Sequence, residues 1–238
     1  ALQDSFDDLT LGDLRKSGKF VLIPAYNLTA GRPRIFKTDH SSELTLDDGY
    51  LVRDIALASA AAPVFLPIVP LISPTSGVEE RFCDGGLFAN CPALLGYAEA
   101  ISYLKTSPEA IQILSLSTPR TSLAERASAQ SWIDRALLKR GLFAWGPRLT
   151  NVMIDATSTI MHFALLRIME AHSSAGTNYK RIELQRPGGV ALDIATQQAT
   201  ETLQQLGSEH ARDTAIRRLI RPFFISQEIH HGQPPEAV

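Results

Sequence analysis

Pro63, Pro67, Pro70 and Pro74 punctuate the stretch from residue 63 to residue 77, and this limits what the middle of the chain can become. Each proline fixes its own φ, lacks an N–H donor and pushes its predecessor away from helix, so no long regular element can run there. A fixed, mostly extended connection is predicted. Before it, LVRDIALASAAA at residues 51 to 62 combines strong helix formers with small residues and is stopped by Pro63. Its alanines and serine imply close packing against a sheet. After it, RFCDGG at residues 81 to 86 reads as a strand that ends in a tight turn.

The remaining pattern alternates between the two periods. VLIPAYNL (21 to 28) and PRIFKTD (33 to 39) are predicted as sequential strands joined by a turn that contains Gly31. Pro92 suits a first helical turn, with Leu95, Ala98, Ile101 and Leu104 spaced as one buried face. IQILSLST (111 to 118) and YKRIEL (179 to 184) are strand candidates, and residues 119 to 130 a loop or weak helix. Helices are expected near 131 to 140 and 148 to 171, the second with Val152, Ala156, Ile160, Phe163 and Leu166 on its apolar face. Two helical stretches around Gly207 follow, then a polar tail from Ser226. Strands alternating with helices at this spacing argue for a layered α/β fold with a mainly parallel sheet.

The 238 residues, 45% of them hydrophobic, can bury a sizeable core and fit one domain better than two. Lys and Arg number 23 against 25 Asp and Glu, so nothing global recommends a polyanion, and no nucleic acid partner is expected. Cys83 and Cys91, without a CxxC or a nearby His pair, read as two buried reduced thiols. No metal and no cofactor are expected. No apolar run is expected to reach the roughly 18 to 20 residues of a membrane span, and the acidic N-terminus is unlike a signal peptide. The expected setting is cytoplasmic, with peripheral membrane contact as the further option.

The most informative local pattern is Phe82-Cys83-Asp84-Gly85-Gly86, followed by Asn90 and Pro92. An acid at the end of a strand, followed by two glycines, sits where the backbone turns sharply and side-chain cover is minimal. Such an Asp can point into a cleft at the strand's end, where open α/β sheets place ligands. It can equally be a turn closed by an Asx-type hydrogen bond.

Taken together, ALASAAAPVFLP (56 to 67), then CDGG and Asn90-Cys91-Pro92, resemble the patatin-like phospholipase family, of the bacterial type. PRIFKTD, IQILSLST and YKRIEL sit in the order seen there, so the resemblance covers most of residues 9 to 220. It implies a three-layer α/β/α fold with a mainly parallel central sheet over residues 1 to 225, followed by a tail at 226 to 238. It also implies a lipid acyl hydrolase that cleaves acyl esters with a Ser-Asp dyad. Asp84 would be the general base, beside Gly85 and Gly86 in the active-site turn, and the substrate a phospholipid or another lipid ester.

The chain departs from the family pattern in two places. No G-x-S-x-G occurs; the nearest stretch, His172-Ser173-Ser174-Ala175-Gly176, has His where the first Gly belongs and lies after Asp84. No glycine-rich oxyanion loop occurs either. Both elements belong N-terminal to residue 1 in the family, so the chain is expected to be the C-terminal part of the domain, with its serine upstream. A non-catalytic patatin-like chain that binds lipid or a partner is the alternative. A Ser-His-Asp hydrolase is a third reading, without a motif around any His to support it. Trp132, Ile133, Ala136, Leu137, Lys139, Arg140, Leu142, Phe143 and Trp145 could form a lipid-facing patch, or pack in the core. The oligomeric state is left open.

Overall fold

A computed structural model describes residues 2–39, 45–119, 142–172, 178–184, 194 and 196–224. Several expectations fall outside these residues: the helix near 131 to 140, the Trp132 to Arg140 part of the lipid-facing patch, Ser173 to Gly176, and the polar tail. The chain divides into two compact units, one of residues 1–111 and 121–176, the other of residues 112–120 and 177–238.

In the first unit, α1 (Leu2–Phe6) and α2 (Leu11–Lys16) lead into strand β1 (Leu22–Asn27) and strand β2 (Arg32–Lys37). Helix α3 (Val52–Ala60), strands β3 (Val69–Ile72) and β4 (Glu79–Asp84), and helices α4 (Gly86–Ala89), α5 (Ala93–Ser102) and α6 (Leu142–His172) follow. The four strands form one sheet in the order β2-β1-β4-β3, and every neighbouring pair is antiparallel.

The mainly parallel sheet is therefore corrected for the described residues. The reason is connection length. β1 and β2 are separated only by Leu28 to Gly31, and β3 and β4 only by Ser73 to Val78, with Gly31 at φ +64 and Gly77 at φ +71 making the reversals. Connections this short can join only antiparallel neighbours, since a parallel pair needs a crossover. β3 lies inside the proline-rich stretch that was expected to hold only a connection. It tolerates Pro70 because it is an edge strand.

Helix α3 packs on β1, β3 and β4 through Val52, Ile55 and Ala58. Beneath it, Phe36 from β2 meets Phe82 from β4 with ring centroids 5.2 Å apart, and Tyr50 edge-on at 5.0 Å. Leu11, Ala25, Ala61, Val69 and Leu71 complete this core. Arg34 lies over the Phe36 ring and is ion-paired with the buried Asp47. α4 packs on β1 and α6, and α5 packs on α6.

Two helix faces differ from expectation. On α5 the buried side chain is Tyr97, while Ala98 is exposed. On α6 the expected stripe points outward, with Ile160 65% and Phe163 52% exposed and Ala156 also exposed. The buried positions are Ser158, Leu165 and Met169. Residues Leu149–His172 of this helix are also long and apolar enough to cross a membrane by length and composition, which corrects the expectation that no such run occurs. Asp155, Arg167 and Glu170 lie within it, and it packs on α4 and α5.

In the second unit, β5 (Ile113–Leu116) and β6 (Tyr179–Ile182) pair in parallel, and Arg181 donates from Nη1 to Ser115 Oγ at 3.0 Å. Helix α7 (Gln197–Arg212) runs straight through Gly207, where a break was expected. A single exposed helical glycine costs only about 1 kcal/mol. The break lies at Asp213, which ends α7 and caps α8 (Thr214–Ile220) by accepting from the amides of Ala215 and Ile216.

Candidate active site

Pro24 determines where the candidate site begins. The β1–β4 ladder runs Asn27 to Phe82, Tyr26 to Cys83 and Ala25 to Asp84, and stops before Pro24. Proline has no N–H to extend a ladder, so β4 leaves the sheet at the next residue, Gly85. A Cβ on Gly85 would stand 2.2 Å from the Pro24 carbonyl oxygen and 2.4 Å from its carbon. Glycine is required there for close approach rather than for backbone conformation, because φ is an ordinary -67°. Ser59 of α3 donates its hydroxyl to the same Pro24 carbonyl at 2.7 Å and ties the helix to this corner.

Asp84 is thus the last residue of an interior strand, as its place in RFCDGG suggested. Its amide donates to the carbonyl of Ala61, just past the end of α3, at 2.9 Å. Its carboxylate is half-buried and accepts from the Gly86 amide through Oδ1 at 2.6 Å. Among the described residues, this is the hydrogen bond that holds the side chain, and it closes the Asx-type turn that the sequence also allowed. Burial pushes the carboxyl above the ordinary carboxylate value, and the Gly86 hydrogen bond opposes that shift only in part. Gly86 opens α4 between two side chains: a Cβ there would come within 3.1 Å of Asp84 Oδ1 and 3.4 Å of Asn90 Oδ1.

The neighbouring thiols are as expected. Cys83 and Cys91 are both buried thiols outside any disulfide, and burial, with the Asp84 charge beside it, raises the Cys83 thiol. His162 stacks near Phe163 at 5.4 Å, and His210 Nδ1 lies 2.9 Å from the Leu206 carbonyl oxygen. Among the described residues no cluster of His, Cys, Asp and Glu could hold a metal. A separate cavity of about 350 Å³, lined by Arg34, Leu46, Tyr50, Ser73, Thr75, Ser76, Val78 and Glu80, does not include Asp84.

Sequence reasoning singled out Asp84, Gly85 and Gly86 but missed the backbone that positions them. Pro24, Ser59 and Ala61 are the supports. The only trace of them in the sequence is the run of small residues in ALASAAAP, which lets α3 approach the strand ends this closely.

The profile of the patatin-like phospholipase family matches residues 1–97, a span that includes the whole of this corner. A cGAMP-activated phospholipase of Pseudomonas aeruginosa is 32% identical over 97% of this chain and 66% of its own length. A cGAMP-activated phospholipase of Vibrio cholerae is 31% identical over 85% of this chain and 56% of its own length. Patatin-like protein 2 of Arabidopsis thaliana is 28% identical over 87% and 55%. The chain belongs to the patatin-like phospholipase family. It spans between 55% and 66% of the length of these three relatives.

Proposed function

We propose that the complete protein containing this chain is a lipid acyl hydrolase of the phospholipase A type. Asp84 is the general base, and the nucleophile is a serine on a segment upstream of residue 1. The observation that carries this reading is a half-buried carboxylate at the end of an interior strand, with one oxygen anchored by Gly86 and its pKa raised by burial. A free aspartate is a weak base; desolvation strengthens it toward the range useful near neutral pH.

In this mechanism Asp84 accepts the serine hydroxyl proton as the oxygen attacks the ester carbonyl carbon. The tetrahedral intermediate collapses to an acyl-enzyme, and the alkoxide leaves with the proton held by Asp84. Water then enters by the same route: it gives a proton to Asp84 and attacks the acyl carbon, and as the acyl–oxygen bond breaks Asp84 returns that proton to the serine oxygen, releasing the fatty acid. The reading carries with it a cytoplasmic protein that touches membranes peripherally.

The test is ester hydrolysis by the complete protein, on a water-soluble short-chain ester and on phospholipid vesicles. Because bacterial relatives are named for activation by cGAMP, each assay is run with and without that cyclic dinucleotide. Turnover in the wild type that Asp84→Asn abolishes, with the fold retained, is expected. Full turnover in the Asn variant would exclude Asp84 as the base. No turnover in the wild type under any condition would leave the non-catalytic lipid-binding reading in its place.

A further inference from the structure

The ladder between β1 and β4 ends at Ala25 and Asp84, so beyond that pair neither strand holds the other. Both are held instead by the end of α3. The Pro24 carbonyl, just past the ladder, accepts the Ser59 hydroxyl at 2.7 Å. Two residues further along, the Ala61 carbonyl accepts the Asp84 amide at 2.9 Å. Ala58 and Ala61, both buried, seat this end of the helix against the strands. Between Ala56 and Ala62 every residue is alanine except Leu57 and Ser59. Alanine is the better helix former, and a helical serine ordinarily returns its hydroxyl to a carbonyl one turn back in its own helix. Ser59 instead donates across to β1, 35 residues earlier. Its hydroxyl serves the corner rather than the helix.

The peptide that Ser59 holds is the one against which the Asp84 turn rests. A Cβ on Gly85 would fall 2.2 Å from the Pro24 oxygen, so the backbone of Gly85 lies against that carbonyl. Gly85 in turn links the Asp84 carboxylate to the Gly86 amide that donates to it at 2.6 Å. A shift of the Pro24 peptide therefore passes directly to this turn, with no flexible side chain between them to absorb it.

We infer that Ser59 is a positioning residue for the proposed reaction: through the Pro24 carbonyl, its hydroxyl fixes the turn of Asp84, Gly85 and Gly86 and so the aim of the Asp84 carboxylate. This rests on the hydrolase reading for its purpose, while the state of the turn can be observed without turnover. The Gly86 amide is the reporter, because it is the group fastened to the carboxylate.

The experiment compares Ser59→Ala and Ser59→Thr in the complete protein, by soluble-ester kinetics under the conditions given above and by hydrogen exchange of the Gly86 amide. Ser59→Ala should lower kcat by about tenfold to a hundredfold with KM nearly unchanged, since a misaimed base costs rate rather than binding. Exchange at Gly86 should quicken by about tenfold, with the amides inside α3 unchanged. Ser59→Thr keeps the hydroxyl and should recover most of both. Val52→Ala, a core truncation at the other end of α3, should lower the melting temperature at least as much as Ser59→Ala and leave kcat as in the wild type. Wild-type kcat in Ser59→Ala would overturn the inference, as would unchanged exchange at Gly86, a Thr variant no better than the Ala variant, or an equal loss of kcat in Val52→Ala. If Ser59→Ala does not fold, Ser59→Cys, a weaker donor, should show the same two losses to a lesser degree, and wild-type behaviour there would overturn the inference. A wild type that hydrolyses no ester, or an Asp84→Asn variant with full turnover, refutes the hydrolase reading instead, and Gly86 exchange that still responds to Ser59 distinguishes that outcome.

Discussion

Gly85 stands opposite Pro24 with no space between them for a methyl group: the Cβ it lacks would fall 2.2 Å from the Pro24 carbonyl oxygen. The obstacle is backbone on a strand, which cannot swing aside as a flexible side chain could. Gly85→Ala should therefore cost about 3 kcal/mol, read as a lowered midpoint in denaturant. Gly96, where a Cβ meets nothing within 4 Å, supplies the comparison. Gly96→Ala lies inside α5 and should be neutral or stabilising by about 0.5–1 kcal/mol.

The raised pKa of Asp84 gives a stability prediction with a definite sign. Between the ordinary carboxylate value and the higher folded value, the native state holds a proton that the unfolded chain has released. Stability contributed by this group is therefore lost as pH rises through that window. Asp84→Asn removes the cost of burying the charge, so the variant should melt above wild type at neutral pH, with the gap closing in acid. Activity should run the other way in the wild type, falling as acid protonates the base. A calorimetric pH series on both proteins separates the two effects.

Arg34 and Asp47 make a second test. Asp47 is buried, and desolvation raises its pKa despite the guanidinium beside it and the Lys37 amide that donates to it at 3.1 Å. Removing the guanidinium strands a buried carboxyl, and Arg34→Leu should destabilise by about 3 to 5 kcal/mol near neutral pH. The loss should shrink once acid protonates Asp47, which thermal melts at two pH values would detect.

The two faces of α6 give a third comparison. Leu165 is fully buried and Ile160 is 65% exposed. Leu165→Ala should cost about 2 to 5 kcal/mol, whereas Ile160→Ala should stay within about 0.5 kcal/mol. The reverse order would restore the face expected from sequence.

These outcomes follow how much of the molecule its sequence disclosed. β1, β2, α3 and β4 were legible because β-formers, small residues and turn glycines bounded them closely. The catalytic candidate was legible because an acid before paired glycines at a strand end is an unusual combination. The antiparallel pairing was implicit in the Gly31 turn, but the alternation of strands and helices along the chain outweighed it. On α6, apolar residues such as Val152, Met153, Ile154, Ile160, Phe163, Ala164 and Leu165 occur around the whole circumference, so no single stripe is marked. Contacts with α4 and α5 decide the face, and a one-dimensional period does not contain them. Gly207 misled because glycine weakens a helix without ending it, whereas Asp213 offers the amides a better partner than helix continuation.

The amide of Gly86, fastened to one oxygen of Asp84, gives the carboxyl group a handedness. With Oδ1 engaged, the plane of the group cannot rotate freely, and the second oxygen presents its lone pairs along one bearing. On the proposed reading, a hydroxyl would arrive along that bearing to lose its proton. Asp84→Glu, which keeps the charge and the acid while moving the oxygens outward by one methylene, should then be nearly as inactive as Asp84→Asn. The direction of approach, and not acidity alone, would be what this corner of the fold selects.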